Sequence, residues 1–249
     1  MALLTVKRRV ELGPTFVLAP ERYDPRRESL RSGATGERTV PLGSLVRSVR
    51  QTVSPTSGQG GERELLVYDT SDVREGLVIG RKKPMKLADV GSLKKAFQRG
   101  DVLISRLRPY LRQVAFVDKD VADGQDIELA CSTEFFVLRS LTDEPVGFLV
   151  PYLLSAPVQS VLCASQEGGH HPRFDEEALM VLPVPESILS SRSEASETVA
   201  KSASLYRQSE RSLLDLVAKA DSAMSANAKS SGKRPASRKV SAVNEARGG

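Results

Sequence analysis

The chain has 249 residues, of which 40% are apolar and 5% aromatic, and 36 Lys+Arg against 31 Asp+Glu leave a formal charge of +5. That length accommodates one sizeable domain with appendages or two small domains, and the modest apolar fraction predicts that part of the chain stays outside any core. No apolar run nears the roughly 18 residues of a membrane-spanning helix. The start MALLTVKRRVELG lacks a secretory h-region, and Cys131 and Cys163 are too few for a disulfide framework or a Cys-rich zinc site, so a reduced, cytoplasmic protein is expected.

Residues 1–38 form a lead-in, with one apolar patch, PTFVLA, and then a turn at Asp24-Pro25 and a Gly/Ser/Thr linker. From Val40 onward, short strand-like runs alternate with turn residues. PLGSLVRSVRQTV reads as a short helix or the start of a strand, and SPTSGQGGERE as an exposed loop. ELLVYDTSDV is apolar and β-branched, a strand entering a turn, and GLVIG follows as another strand. DVGSLKKAFQRG is predicted to be a short helix ended by Gly100, carrying Lys94, Lys95 and Arg99 near its C-terminal end. DVLISRL is the clearest strand, QVAFVDK is its successor beyond the RPYL corner, and IELACSTEFFVLRS supplies one or two more. In the last of these, Phe136 and Leu138 alternate with Val137 and Arg139.

After Pro145 the period lengthens. VGFLVPYLLSAPVQSVLCAS reads as helical, opened or kinked at Pro151 and Pro157. A Gly-rich loop, QEGGHHPRFD, then leads to a turn of helix and a closing strand in EEALMVLPVP. Residues 39–185 are thus expected to form an α+β domain with irregular β content.

Residues 186–226 contain neither Gly nor Pro. Val199, Tyr206, Leu213 and Ala220 recur every seven residues, with Ala203, Val217 and Met224 on the same seam. A helix of that length extends about 60 Å, too far to be buried by the preceding domain. It is expected to project and pair with another helix, from its own kind or from a partner. Residues 227–249, rich in Ser, Ala, Lys and Arg, are expected to be a disordered basic tail.

The charge is unevenly spread. Residues 78–112 hold ten Lys/Arg and two acids, a net of +8, whereas residues 113–190 hold three basic residues and thirteen acids, a net of −10. The tail carries six basic residues and one acid. A +8 block inside a foldable segment is a candidate polyanion surface, the bland alternative being a solvated basic face. Arg106, Arg108 and Arg112 flank the Pro109-Tyr110 corner, while Arg81, Lys82, Lys83 and Lys86 form a second cluster interrupted by Pro84. Lys and Arg neutralise phosphates, and Arg is suited to bidentate bonds with guanine. With Lys94, Lys95, His170 and Arg173 they make up the candidate DNA contacts. For Arg106 the competing reading is a salt bridge across the sheet. Tyr110 is either a stacking residue or a buried corner tyrosine. Tyr68 and Tyr152 are expected in the core, and both cysteines are expected to be buried thiols.

Catalytic signatures are lacking. The chain has no Gly-rich cofactor loop paired with an Asn/Asp-Pro-Pro-aromatic phrase, and GQGGE at 58–62 has no following P-loop lysine. Asp118-Lys119-Asp120 is the nearest thing to a nuclease cluster and reads as a solvated turn. His170-His171 has no further His or Cys to complete a metal site, and no cofactor is expected.

The order of several phrases resembles that of the DNA-specificity subunits of type I restriction–modification systems. VPLGSLV is similar to the family's domain opening, and VYDTSDVREGLV to its early strand–turn–strand. RGDVLISRLRPYLRQVAFV resembles the Gly-Asp strand and its turn, and STEFFVLRS the next strand. FLVPYLLSAPVQSVL resembles the helix with a Tyr-Leu pair, and EGGHHPRFDEEALMVLPVP the closing loop and strand. FVLAPERYDPRR looks like the lead-in. The family's Pro-rich phrase with a Glu-Gln pair is replaced here by PVPESILSSRSE, which has no Gln. Family subunits carry two target recognition domains and two long helices, and this chain has room for one of each.

The resemblance implies a non-catalytic subunit that selects double-stranded DNA and directs a DNA adenine methyltransferase subunit. A restriction or translocase subunit is a further partner. Its helix, through Val199, Tyr206, Leu213, Val217 and Ala220, would serve self-association or pairing with a second specificity chain. The competing classes are a stand-alone DNA endonuclease and a coiled-coil adaptor whose basic face meets RNA or an acidic protein.

Overall fold

The computed structural model describes residues 6–12, 36–55, 62–169 and 171–231. The lead-in phrase at 16–27, most of GQGGE, His170 and residues 232–249 lie outside them. The chain divides into two compact units, Met1–Leu205 and Tyr206–Gly249.

In the first unit, thirteen short strands form three sheets among the described residues. They are β1 (Thr39–Pro41), β2 (Val46–Ser48), β3 (Thr52–Val53), β4 (Glu64–Tyr68), β5 (Val73–Arg74), β6 (Gly76–Val78) and β7 (Met85–Lys86). Then come β8 (Lys94–Phe97), β9 (Val102–Ser105), β10 (Val114–Phe116), β11 (Glu128–Ser132), β12 (Phe135–Ser140) and β13 (Pro183–Pro185). A six-stranded sheet has the order β2-β12-β9-β10-β6-β5, a five-stranded sheet the order β3-β8-β11-β4-β7, and β1 pairs with β13. Most pairs are antiparallel, but β10 runs parallel to β6 and β11 parallel to β4. The helices are α1 (Leu149–Leu154), α2 (Ala156–Ala164), α3 (Glu176–Met180), α4 (Glu186–Ser190) and α5 (Arg192–Ser231).

Period-two alternation sends each strand's side chains into two different cores. In β12, Phe135 and Val137 face the five-stranded sheet and meet Leu66, Tyr68, Phe97, Leu129 and Cys131. Phe136 and Leu138 face the other way and pack with Val102, Ile104 and Val114 against Leu149, Leu153, Val161 and Leu162 of α1 and α2. The outer face of the five-stranded sheet is sealed by Leu87 and Val90 over Val53, Leu65 and Ala130. The unit is thus three-layered: helices, six-stranded sheet, five-stranded sheet. Tyr68 and Tyr152 are both buried, whereas Cys131 is buried and Cys163 only half-buried.

The Gly100-Asp101 turn starts β9. Gly100 has φ of 90°, a conformation glycine adopts without Cβ strain. The fully buried Asp101 carboxylate takes two 2.8 Å bonds from the Arg139 guanidinium and a third from the Gln98 backbone N–H. This pair explains why Arg139 sits at the end of an otherwise apolar strand, and hydrogen bonding to Asp101 raises the guanidinium's pKa.

Several expectations are corrected. Lys94–Phe97 is a strand, not a helix: β8 lies between β3 and β11, with Phe97 in the inter-sheet core and Ala96 on the opposite face. Four residues are too few to nucleate a helix, and pairing on both edges supplies the backbone partners instead. The helix after the domain is not continuous from 186: α4 ends at Ser190, and α5 begins at Arg192 and runs past 226 to Ser231. Asp118 is buried rather than solvated, and it accepts the Asp120 N–H at 2.9 Å in a side-chain-closed turn. PLGSLVRSVRQTV, left open between helix and strand, is a 3-10 turn at Leu42–Ser44 followed by β2 and β3. The Pro-interrupted helical segment splits into α1 and α2 at Ser155, with Pro157 in the first turn of α2, where no N–H is lost.

The root of α5 is fixed by a close backbone approach. A Cβ on Gly147 would meet the Ser196 Cα at 3.2 Å, and Ser196 Oγ accepts the Phe148 N–H at 2.9 Å. Ala195 and Val199 pack on the helical core, and Ala203 is buried. In the second unit, Leu213, Leu216, Val217 and Met224 are all exposed.

Candidate nucleic-acid interface

The connection from β9 to β10 is a hydrogen-bonded corner built around a 3-10 turn, Pro109–Leu111. Arg108 and Arg112, on either side of that turn, have φ of 49° and 53°. Non-glycine residues in this left-handed region cost about 1 kcal/mol or more each, so the surroundings must over-determine them. The surroundings do so. Leu111 N–H donates to Arg108 O and Arg112 N–H to Pro109 O, both at 2.8 Å, while Arg108 N–H donates to Pro172 O at 3.0 Å. Pro109 is buried, and the turn packs on α2.

The corner is joined to the 167–174 loop through Glu134 of the β11–β12 turn. Arg106 Nε donates to Glu134 Oε2 at 3.1 Å. Arg173 donates through Nε to the same oxygen at 2.9 Å and through Nη2 to Oε1 at 2.7 Å. The bonds from Arg173 above all, with Arg106 adding to them, hold the Glu134 carboxyl below the usual carboxylate range against the opposing effect of burial. Backbone bonds run alongside: Arg106 N–H to Glu134 O at 2.9 Å and Phe174 N–H to Arg106 O at 3.2 Å. Arg173 also donates to His171 O at 3.0 Å, and the Arg108 guanidinium lies 3.4 Å from His171 Nδ1. Arg112 Nε donates to Glu75 Oε1 at 3.2 Å. Tyr110, 57% exposed, is not a buried corner tyrosine.

The structure therefore brings Arg106, Arg108, Tyr110, Arg112 and Arg173 to one corner. Arg106 makes the ion pair that was the competing reading for it. The second cluster lies on the loop after β6 and in β7. There Arg81 faces Asp123 at 3.6 Å, Lys82 contacts Asp72 at 2.7 Å and Lys86 contacts Glu62 at 2.7 Å. Lys83 is exposed and makes no ion pair with the described residues. Lys94 and Lys95 are committed inside the protein. Lys94 has a side chain only 13% exposed and pairs with Asp69 at 3.5 Å. Lys95 Nζ donates to Phe135 O at 2.7 Å and stands 5.4 Å from the Phe136 ring centre, with burial lowering its pKa. The buried Cys131 thiol beside it is pushed up to about 12 by desolvation.

Sequence reasoning missed Glu134, Glu75, Pro172 and Leu111. Nothing local marks Glu134, whose partners lie 28 and 39 residues away. Among the described residues no cluster of three or more His, Cys, Asp or Glu side chains could hold a metal ion, and no helix is long and apolar enough to cross a membrane.

No family model and no curated protein matches the chain. Solved structures do. One is a chain from work on complex assembly and conformational transition of the type I R-M system, with 22% identity and a TM-score of 0.52, covering 83% of this chain and 52% of that one. Another is the HsdS subunit from Thermoanaerobacter tengcongensis, with 24% identity and a TM-score of 0.49, covering 76% of this chain and 47% of that one. The chain spans about half the length of each. It shares the fold of a chain solved in a type I R-M system: an α+β, β-rich unit followed by a long helix.

Proposed function

We propose that the chain is a non-catalytic DNA-specificity subunit of a type I-like restriction–modification or related DNA-modification system. Residues 39–185 form its single target recognition domain, and α5 (Arg192–Ser231) is its spacer helix. The observation that carries this reading is the gathering of Arg106, Arg108, Arg112 and Arg173 at one rigid corner. The fold shared with a type I R-M chain supports it. Arg108 and Arg112, half-exposed on either side of the turn, are suited to base edges or phosphates. Arg81, Lys82, Lys83 and Lys86 supply a second, phosphate-directed surface. The partners are double-stranded DNA, a DNA adenine methyltransferase subunit and a restriction or translocase subunit, in the cytoplasm of a cell that uses the system for phage defence.

The test is selection of duplexes from a random pool, followed by competition of an enriched duplex against random duplex. A specificity subunit prefers the enriched sequence by about 1,000-fold or more, and its affinity falls steeply as salt rises because counterions are released. Equal affinity for both duplexes overturns the proposal and favours an adaptor. Cleavage of plasmid by the purified chain with Mg²⁺ favours an endonuclease.

A further inference from the structure

The Pro109–Leu111 turn holds two large apolar side chains in solvent on strained backbone. Tyr110 is 57% and Leu111 45% exposed, and neither belongs to any of the three hydrophobic clusters. The backbone bonds from Leu111, Arg112 and Arg108 and the buried Pro109 seated on α2 fix the turn between its flanking left-handed residues. The fold leaves about half of each side chain in solvent, and strain kept beside such a place is characteristic of a binding element.

What surrounds the pair identifies its partner. Four guanidinium groups, of Arg106, Arg108, Arg112 and Arg173, lie around the turn, and the carboxylates bonded to them are Glu75 and Glu134. An apolar tip framed by surplus positive charge matches a polyanion with an apolar interior, which is the stacked duplex. A protein groove would match the same tip only with acidic side chains placed around an apolar pocket, whereas every duplex carries both features along its whole length.

We infer that Tyr110 and Leu111 form a wedge that enters the base stack of bound DNA while the neighbouring arginines hold the backbone on either side. The inference rests on the DNA-binding reading above. Apolar side chains inserted at a base step unstack it and bend the duplex, and the insertion succeeds only from a support stiffer than the step it opens. The doubly pinned turn is such a support. Aromatic contact with an exposed base face also adds affinity without depending on base identity.

The experiment uses the full chain and a duplex of about 30 bp enriched from a random pool by the wild-type protein, long enough to span a standard site. 2-Aminopurine is placed at successive positions of the protected region. Wild-type protein is expected to raise the fluorescence at one step, or two adjacent ones. Tyr110→Ala with Leu111→Ala should abolish that rise and weaken binding about 5- to 100-fold. Thermal melts of the variant check that it remains folded, because each side chain is only partly buried. Tyr110→Phe with Leu111→Met should restore the signal. A rise that persists in the double alanine variant overturns the wedge, as does a bound duplex with no rise at any position. Loss of binding to a methyltransferase subunit with the fluorescence unchanged reassigns the pair to a protein partner and also overturns it. Failure of the wild-type chain to bind any duplex overturns the DNA reading itself and is distinguishable from these results.

Discussion

Glu134 receives three hydrogen bonds from two arginines that belong to different segments, and so ties the β9–β10 corner to the 167–174 loop. Its carboxyl is held below the ordinary value of 4.5, chiefly by Arg173. A carboxylate with a lowered folded-state pKa stabilises the fold fully above its unfolded pKa, and that contribution is lost as pH falls through the folded value. Stability from the clamp is therefore complete at pH 7 and declines on acidification below about 4.5. Glu134→Gln keeps the shape and removes the charge. It is expected to lower the melting temperature at pH 7 by about 2–4 °C, since solvent reaches the clamp and screens it. The gap to wild type should narrow as the pH falls below about 4.5, measured by thermal melts across pH. A gap that is constant with pH would assign the loss to packing.

At the scale of elements, the decisive junction is the root of α5 in the first unit. Gly147 lets the chain before α1 approach the α5 backbone so closely that a Cβ would lie 3.2 Å from the Ser196 Cα, and the Phe148 N–H then finds Ser196 Oγ. Both contacts lie within the first 205 residues, so the root of the helix is part of the first unit's packing. Gly147→Val places branched carbon against the Ser196 Cα, and overpacking of this kind costs about 1–3 kcal/mol. Urea unfolding should register that loss. Gly147→Ala, with a single contact at 3.2 Å, should cost less. Equal stability of all three proteins would show that the helix root relaxes away from the sheet.

For the molecule as a whole, the exposed apolar residues of the second unit set the question of assembly. Leu213, Leu216 and Val217 are 63%, 62% and 49% exposed on a helix of 40 residues, and a helix face of this kind calls for a partner helix. The chain also spans about half the length of the type I R-M chain whose fold it shares. On the proposed function, two copies joined through α5 supply two recognition units, and two-fold symmetry then predicts an inverted-repeat target with an uncontacted gap. Light scattering is expected to find a dimer for the wild type and a monomer for Leu213→Lys with Val217→Lys, with unchanged melting of the first unit. A wild-type monomer both alone and on DNA would reject self-pairing.

The sequence by itself determined the α+β class, the apolar central strands and the long helix. In β9, β10 and β12 the apolar residues outnumber every alternative, and in 192–226 the absence of Gly and Pro leaves helix as the favoured state. The arginine-rich corner was legible for the same reason, because its residue types sit beside one another around Pro109. Tertiary structure decided the rest. Lys94–Phe97 has two lysines and an alanine, residues of good helix propensity, yet strands on both sides make it β8, because ladder bonds outweigh local preference. It also decided that Lys95 turns inward onto Phe135 O, and that Arg106 and Arg173 share Glu134 while Tyr110 and Leu111 stay exposed. Periodicity and propensity act over a few residues and are written in the sequence. A charge's partner and a side chain's exposure depend on segments tens of residues apart, which meet only when the chain has folded.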